Sequence, residues 1–453
     1  MESNFKIIAV RSVLVAASTG LSAELGVLYL TGVLGADEAV FGYLAALQSA
    51  VLLASILFGG WLADNWGRRN AFLLGAGLQV LQPLVMAVMP SWEYVVLVYV
   101  VGALSSSTLQ PARIALYIPS MEKGARATKI SYVTLFTTIA NTVIPPLGAY
   151  SVDVLGGLSQ MRIIFLLQFL IQCITWAYTT RLVDRGSAHV KSGRSFHDMW
   201  REMKATFKIA KGNHGLGWVW ISLIGPLAYS VCNPFWILFA ADRYLPPIVV
   251  IGLLTTTYSL GGMLTLVPVG RYSDRRGRIR AIKFLRPIAF AAQTLFLVGY
   301  RLEWDLIYLL LLVVWGLRGA SSACSSPCQS ASNEVVPERF LGRWTALKTF
   351  LSSLTSIPAG ILGSILWNMD PALPFICGLI IDIALRYPVV YFKLPETLIE
   401  PEEGGQDLER CTPIEQLQRT PSVRLPDRVA SSYAEASLRK KRKVYMQGRS
   451  RRS

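Results

Sequence analysis

Five ionisable side chains stand inside otherwise apolar runs of this chain: Glu24, Arg113, Arg318, Asp382 and Arg386. A carboxylate placed away from water can trade a proton or hold a cation, and those are the two roles open to Glu24. Arg318, in WGLRGASSA, keeps its charge everywhere. It suits an anionic group or serves as the counter-ion of Glu24, in which case the two form a fixed structural pair. Asp382 and Arg386 have the i,i+4 spacing of an intrahelical structural pair. Arg113 lies near the end of its run, where a long side chain reaches the interface. Uncharged polar residues within the runs, Gln48, Asn141, Asn233 and Tyr258, extend the candidate pathway, with Trp236 and Tyr29 as apolar walls.

Other chemistries lack their residues. The three histidines, His189, His197 and His214, fall in one polar loop. Cys324 and Cys328 are one helical turn apart, with no further ligand at zinc spacing, and read as small packing residues. No G-x-x-x-x-G-K-[ST] phosphate loop is present. The expectation is a protein without metal, cofactor or enzymatic activity.

The elements that carry these residues follow from hydropathy. The chain has 453 residues, 53% hydrophobic and 16% charged, with a mean hydropathy of +0.43. A helix needs about 20 apolar residues to cross about 30 Å of hydrocarbon. Twelve runs meet that length, near residues 7–33, 40–62, 70–90, 94–118, 131–154, 161–183, 217–241, 248–270, 282–300, 304–333, 344–367 and 372–392. This predicts an all-α polytopic membrane protein: a six-helix bundle over 1–183, a polar loop over 184–215, a second bundle over 216–395 and a disordered tail over 396–453. In the loop, SFHDMWREMKATFKIAK reads as an amphipathic helix lying at the membrane surface, with Phe196, Met199, Met203, Phe207 and Ala210 on one stripe.

The net charge of +16 gathers in alternate loops. Asp37, Glu38, Asp242 and Asp370 occupy the others. This positive-inside asymmetry puts both termini in the cytoplasm and makes anionic lipid, not nucleic acid, the partner of the basic residues. RKKRK at 439–443 can touch the same lipid.

One stretch occurs twice. Gly60-x-x-x-Asp64-x-x-Gly67-Arg68-Arg69 matches Gly270-x-x-x-Asp274-Arg275-x-Gly277-Arg278, each between the second and third span of its half. Two related six-span halves are the mark of a rocking secondary transporter. With the paired signature, the central loop and PET at 395–397, residues 5–397 resemble the major facilitator superfamily.

The resemblance implies that spans 1, 4, 7 and 10 line a central cavity, with 3, 6, 9 and 12 peripheral. It also implies that Asp64 latches onto the start of span 11, near Leu341–Thr345, while Arg68 and Arg69 anchor to headgroups. An arginine usually follows the first aspartate and pairs with an acid ending span 4. Here Asn65 takes its place, and Leu116 stands where the second half has Glu334. The fuller charge network, Asp274, Arg275 and Glu334, is therefore expected in the second half. ANTVIPPLGA in span 5 is faintly similar to an antiporter motif, and Pro145–Pro146 should kink it.

The function expected is secondary transport of a small molecule by a monomer in the plasma membrane, as proton-coupled export of amphiphilic or drug-like compounds. An organic-anion or metabolite transporter is the alternative. A transporter-like receptor or scaffold is the alternative of another class.

Overall fold

Where apolar runs meet charged motifs, glycine decides how the chain turns. Gly67 and Gly277 have φ of 97° and 100°, a backbone that L side chains rarely adopt. Each starts the helix that follows its motif.

The computed structural model describes residues 2–117, 126–183, 206–212, 215–301, 306–336 and 341–394. Its long helices are α1 (Asn4–Gly32), α2 (Val40–Asn65), α3 (Arg68–Val88), α4 (Val95–Tyr117), α5 (Arg126–Val154) and α6 (Met161–Thr179). The second set is α7 (Leu216–Tyr244), α8 (Ile248–Arg276), α9 (Arg278–Gly299), α10 (Ile307–Asn333), α11 (Leu341–Met369) and α12 (Leu373–Lys393). Among the described residues, eleven helices are long and apolar enough to span a membrane, and α2 adds a shorter apolar stretch, Val40–Ile56. The helices match the twelve runs, but α2 and α8 continue through the charged motif to Asn65 and Arg276. Charge alone does not end a helix.

Three of the helices are broken partway. α1 breaks after Ser22 and restarts at Leu25, leaving Glu24 at the break. α7 passes through a tight turn at Asn233–Phe235, which holds Pro234. α10 breaks at Ala323–Cys324, and Pro327, four residues on, has no N–H for the Ala323 carbonyl. α12 is not cut but widens: the Tyr387 N–H reaches five residues back to the Asp382 carbonyl.

The halves repeat each other's packing. α2 and α3 lie on α4, as α8 and α9 lie on α10; α1 meets α5 and α6, as α7 meets α11 and α12. Across the halves, α2 packs on α11 and α5 on α8. Small residues allow this approach. A Cβ on Gly42 would lie 2.6 Å from the Gly360 carbonyl oxygen, and one on Gly360 would lie 2.6 Å from that of Gly42. Beside them Ser364 Oγ donates to the Ala39 carbonyl at 2.7 Å, and Thr256 Oγ1 donates to the Thr142 carbonyl at 2.7 Å.

These contacts lie toward the end that carries Asp37, Glu38, Asp242 and Asp370, here called the acidic end. Aromatic packing reinforces it: Phe235 stacks on Trp367 at 4.7 Å between centroids, and Trp236 on Phe296 at 4.7 Å. At the opposite, basic end the halves part. In α5, five of the six residues 131–136 are exposed, and so are five of the six residues 263–268 in α8. The molecule is closed at its acidic end and open toward its basic end.

Of the central amphipathic segment only 206–212 is described, and the rest of that expectation lies outside the described residues, as does the tail with RKKRK. Within 206–212, Phe207 and Ala210 pack on the second bundle beside Trp218 and Ile279. Over these residues the apolar stripe turns onto protein, where it finds an apolar cluster within reach.

Candidate functional site

A cavity of about 770 Å³ opens within the second half, with residues from α7 to α12 in its wall. Its size is that of pockets for drug-sized ligands. Among the described residues, four cations line it, Arg286, Arg318, Lys348 and Arg386, against the single carboxylate Asp382. Serines and a threonine fill much of the remaining wall, among them Ser222, Ser321, Ser322, Ser352 and Thr349.

Arg318 is held by an aromatic box. Its guanidinium lies 3.9 Å from the Trp236 ring centroid, 5.6 Å from that of Trp315 and 5.8 Å from that of Tyr258. Asn233, at the break in α7, accepts a long hydrogen bond from it at 3.5 Å. Ring faces hold a cation without neutralising it. Arg318 therefore faces the cavity with its charge available.

A second cationic group occupies the other side of the wall. Arg286 Nη1 lies 3.1 Å from Asp382 Oδ2, and Arg386 Nη1 lies 3.5 Å from Asp382 Oδ1. Nε of both arginines has no hydrogen-bond partner. Cys324 and Cys328 sit beside this triad with their sulfurs 3.7 Å apart, both as free thiols. Lys348 Nζ donates to Ser332 Oγ at 2.8 Å. An excess of three positive charges inside apolar helices calls for an anion.

Arg318 and Tyr258 line this cavity, and Asn233 touches Arg318. Glu24, Gln48 and Asn141 belong to the first half and are not in the wall. Glu24 is half-buried and within Coulombic reach of Arg318, without an ion pair between them. Gln48 is exposed beside Gly102, and Asn141 offers its backbone carbonyl to Ser259 at 3.4 Å. Tyr29 is no cavity wall. It is 1% exposed in the closing core and accepts a bond from Arg162 at 3.1 Å.

Two sequence expectations change. Helices 9 and 12 are not merely peripheral, since Arg286, Asp382 and Arg386 face the cavity. The nearer partner of Asp382 is Arg286 on α9, so the i,i+4 pair with Arg386 is only half of its bridge. Arg286 and Lys348 escaped the sequence reading because each stands within about a turn or two of a run's start. The rule that singled out Arg318, a charge inside an apolar run, applies to both.

The repeated motif is also placed. Gly270, Asp274 and Arg275 lie on the last turns of α8, with Asp274 and Arg275 exposed. Glu334 pairs with Arg278, not Arg275, because Arg278 starts α9 beside the end of α10. In the first half Arg68 is exposed, and Arg69 donates to the Leu182 and Thr180 carbonyls at 2.5 and 2.6 Å. Arg69 thus satisfies the end of α6 instead of reaching for headgroups. Gly60 and Asp64 sit on α2 by their backbone, and their surroundings lie outside what is described.

Several solved transporters share this architecture. The crystal structure of a point mutant of the nucleoside transporter NupG superposes with a TM-score of 0.68 at 13% identity, covering 86% of this chain and 99% of that one. A POT family transporter in complex with 5-aminolevulinic acid gives 0.66 at 11% identity, covering 87% and 96%. A D-xylose-proton symporter gives 0.65 at 12% identity, covering 86% and 98%. At such identities the likeness speaks for the fold alone. No curated protein matches the chain in sequence. The profile of the Major Facilitator Superfamily matches residues 8–421. The chain belongs to the Major Facilitator Superfamily, as a multi-pass membrane transporter and not an enzyme.

Proposed function

We propose that this transporter moves a small organic anion by alternating access, its halves rocking about the broken middles of α1, α7 and α10. The observation that carries the reading is the cavity wall, with four cations against one carboxylate and Arg318 presented on aromatic faces. A neutral or cationic cargo would leave that charge uncompensated in a poorly solvated site.

The positive-inside rule assigns the basic end, with both termini, to the cytoplasmic side of a plasma membrane. The described state is then open inward. Asp64 acts as a latch that engages the start of α11 when the inner gate closes, with Asp274 as its counterpart in the second half. The protein works as a monomer whose basic loops meet anionic lipid. Glu24, across from Arg318 at the break in α1, is the proton carrier of a coupled cycle. Proton-coupled export of amphiphilic compounds stays as the second reading, favoured by the aromatic box of Trp236, Trp315 and Tyr258.

The test is thermal stabilisation of the purified protein by anionic and neutral amphiphiles, at acidic and neutral pH. Anions should stabilise it, and Arg318→Gln should abolish the effect. Undiminished anion transport by Arg318→Gln would reject the anion reading. Proton-dependent transport undiminished in Glu24→Gln would reject the coupling role.

A further inference from the structure

The cavity's cations fall into two groups held by different means. Arg318 is carried by ring faces and one asparagine. Arg286 and Arg386 are carried by one shared carboxylate, Asp382. Two helices measure the gap between the groups. On α10, Cys324 beside the triad lies six residues beyond Arg318, roughly 9 Å along the axis at 1.5 Å per residue. On α7, Gly225 lies against the Arg386 guanidinium, where a Cβ would meet Cζ at 2.9 Å. Gly225 stands eleven residues before Trp236, across the turn at Asn233–Phe235.

Between the groups the wall is uncharged, with Tyr229, Cys232, Ala228 and Ala289 beside the hydroxyls of Ser321 and Ser322. The volume of about 770 Å³ is far more than a simple inorganic anion fills. The triad is not a finished structural bridge either. Arg286 Nε and Arg386 Nε are both buried without a hydrogen bond. Native structures satisfy the great majority of such atoms, so these await a partner. Asp382 neutralises only one of its two arginines.

Resting on the anion reading above, we infer that the cavity takes a dianion: one acid group at Arg318, the second at Arg286 and Arg386, and an uncharged body between them. Asp382 holds the second group's place, bridging the arginines until the cargo's own acid shares them. Lys348 adds to the positive field from α11. The shared chemistry is an elongated molecule with a carboxylate or phosphate at each end.

The experiment uses the full chain, purified in detergent, with binding and thermal stabilisation measured for succinate, suberate, dodecanedioate and the monoacid caprylate. Suberate should bind best of the three diacids, and about tenfold tighter than caprylate, the worth of one further charge-assisted contact. Arg386→Gln should erase the advantage of suberate over caprylate. Arg318→Gln should weaken both. Asp382→Asn has the opposite sign: it frees both arginines and should tighten suberate selectively, which a merely misfolded variant cannot do. Equal binding of suberate and caprylate, unmoved by Arg386→Gln and Asp382→Asn, would overturn the dianion proposal and leave the anion reading standing. No stabilisation by any of the four acids would overturn both.

Discussion

The two halves share a fold and differ in what they enclose. In the first, α1, α3 and α6 surround a gap of about 10 Å³ lined by Arg11, Gln79 and Gln172. In the second, the corresponding α7, α9 and α12 contribute to a cavity of about 770 Å³. Arg11 shows how the first gap is filled: it donates to Gln79 Oε1 at 2.7 Å and lies 5.1 Å from the Phe72 centroid. Ser22 donates to Gln168 Oε1 at 2.9 Å nearby. Gln79 absorbs the one buried cation there, while Gln172 Oε1 is left without a hydrogen bond. At the matching place in the second half, Gly225 removes a side chain, and three charged groups face open space. The repeat fixes the backbone, and the interior residues decide which half encloses a cavity.

The largest effect that tests this division comes from exchanging charge for amide in both halves. Arg318→Gln should lower anion affinity by ten- to a hundredfold or more, the loss of about 1.5–3 kcal/mol of charge-assisted bonding. Transport into proteoliposomes should fall with it. Arg11→Gln should leave transport near its original level, because Arg11 bonds only within its own bundle. Equal losses in the two variants would mean that both halves bind cargo.

Next in size is an attempt to give the first half the second half's gate chemistry. Leu116 is 7% exposed among Ile7, Phe72 and Ala112, at the position that Glu334 takes in the repeat. Leu116→Glu places a carboxylate in that apolar cluster, where an uncompensated charge costs about 3–5 kcal/mol. Thermal unfolding of the purified variant should drop by many degrees. A stable variant would show that Arg68 swings in to pair with the new acid, and that the asymmetry of the two gates is easily reversed.

Much of this was legible in the sequence, for a physical reason. Crossing hydrocarbon demands long apolar runs, so twelve helices and their order follow directly. The repeated glycine motif announces the two halves, and the positive φ of Gly67 and Gly277 is its structural content. Arg318 was legible because a charge in an apolar run has few harmless explanations. Arg286 and Lys348 were not, since a cation near a run's end has an easy one. The Asp382 bridge was half legible: local spacing gives Arg386, but no pattern within one helix reveals a partner on α9. The pairing of Glu334 with Arg278 over Arg275 depends likewise on where α9 starts relative to α10.

A smaller effect tests the closed end, where the halves meet with like charge. Glu38, half-buried on the α1–α2 loop, has its carboxyl pushed above the ordinary range, first by burial and then by Asp242 of the other half and by Asp37. A bond with Trp367 and the charge of Arg243 act in the opposite direction and do not cancel this. Below the ordinary carboxylate pKa of about 4.3 the group is neutral whether the end is open or closed, and closure carries no penalty. As pH rises through the raised value, closure must ionise Glu38 beside Asp242 and loses stabilisation. The closed population should therefore be greatest at acid pH and decline toward neutrality, as read by a distance probe spanning the α1–α2 and α7–α8 loops. Glu38→Gln should flatten that dependence. A closed population that grows with pH would contradict the assignment.

The smallest effect belongs to a gate ion pair found, among the described residues, in the second half and not in the first. Arg278 and Glu334 are in contact, with side chains 16% and 36% exposed, so solvent screens much of their attraction. Pairs of this kind contribute about 0–1 kcal/mol. Glu334→Gln should accordingly shift thermal unfolding little, and less in high salt. Its consequence should appear instead in the kinetics of the cycle, because the pair ties the start of α9 to the end of α10 beside Asp274. Faster interconversion of the end states with nearly unchanged stability would mark the pair as a brake on the second half's gate. If Glu334→Gln destabilises the protein as much as Leu116→Glu does, the pair is part of the fold, and the contrast between the two gates is one of packing alone.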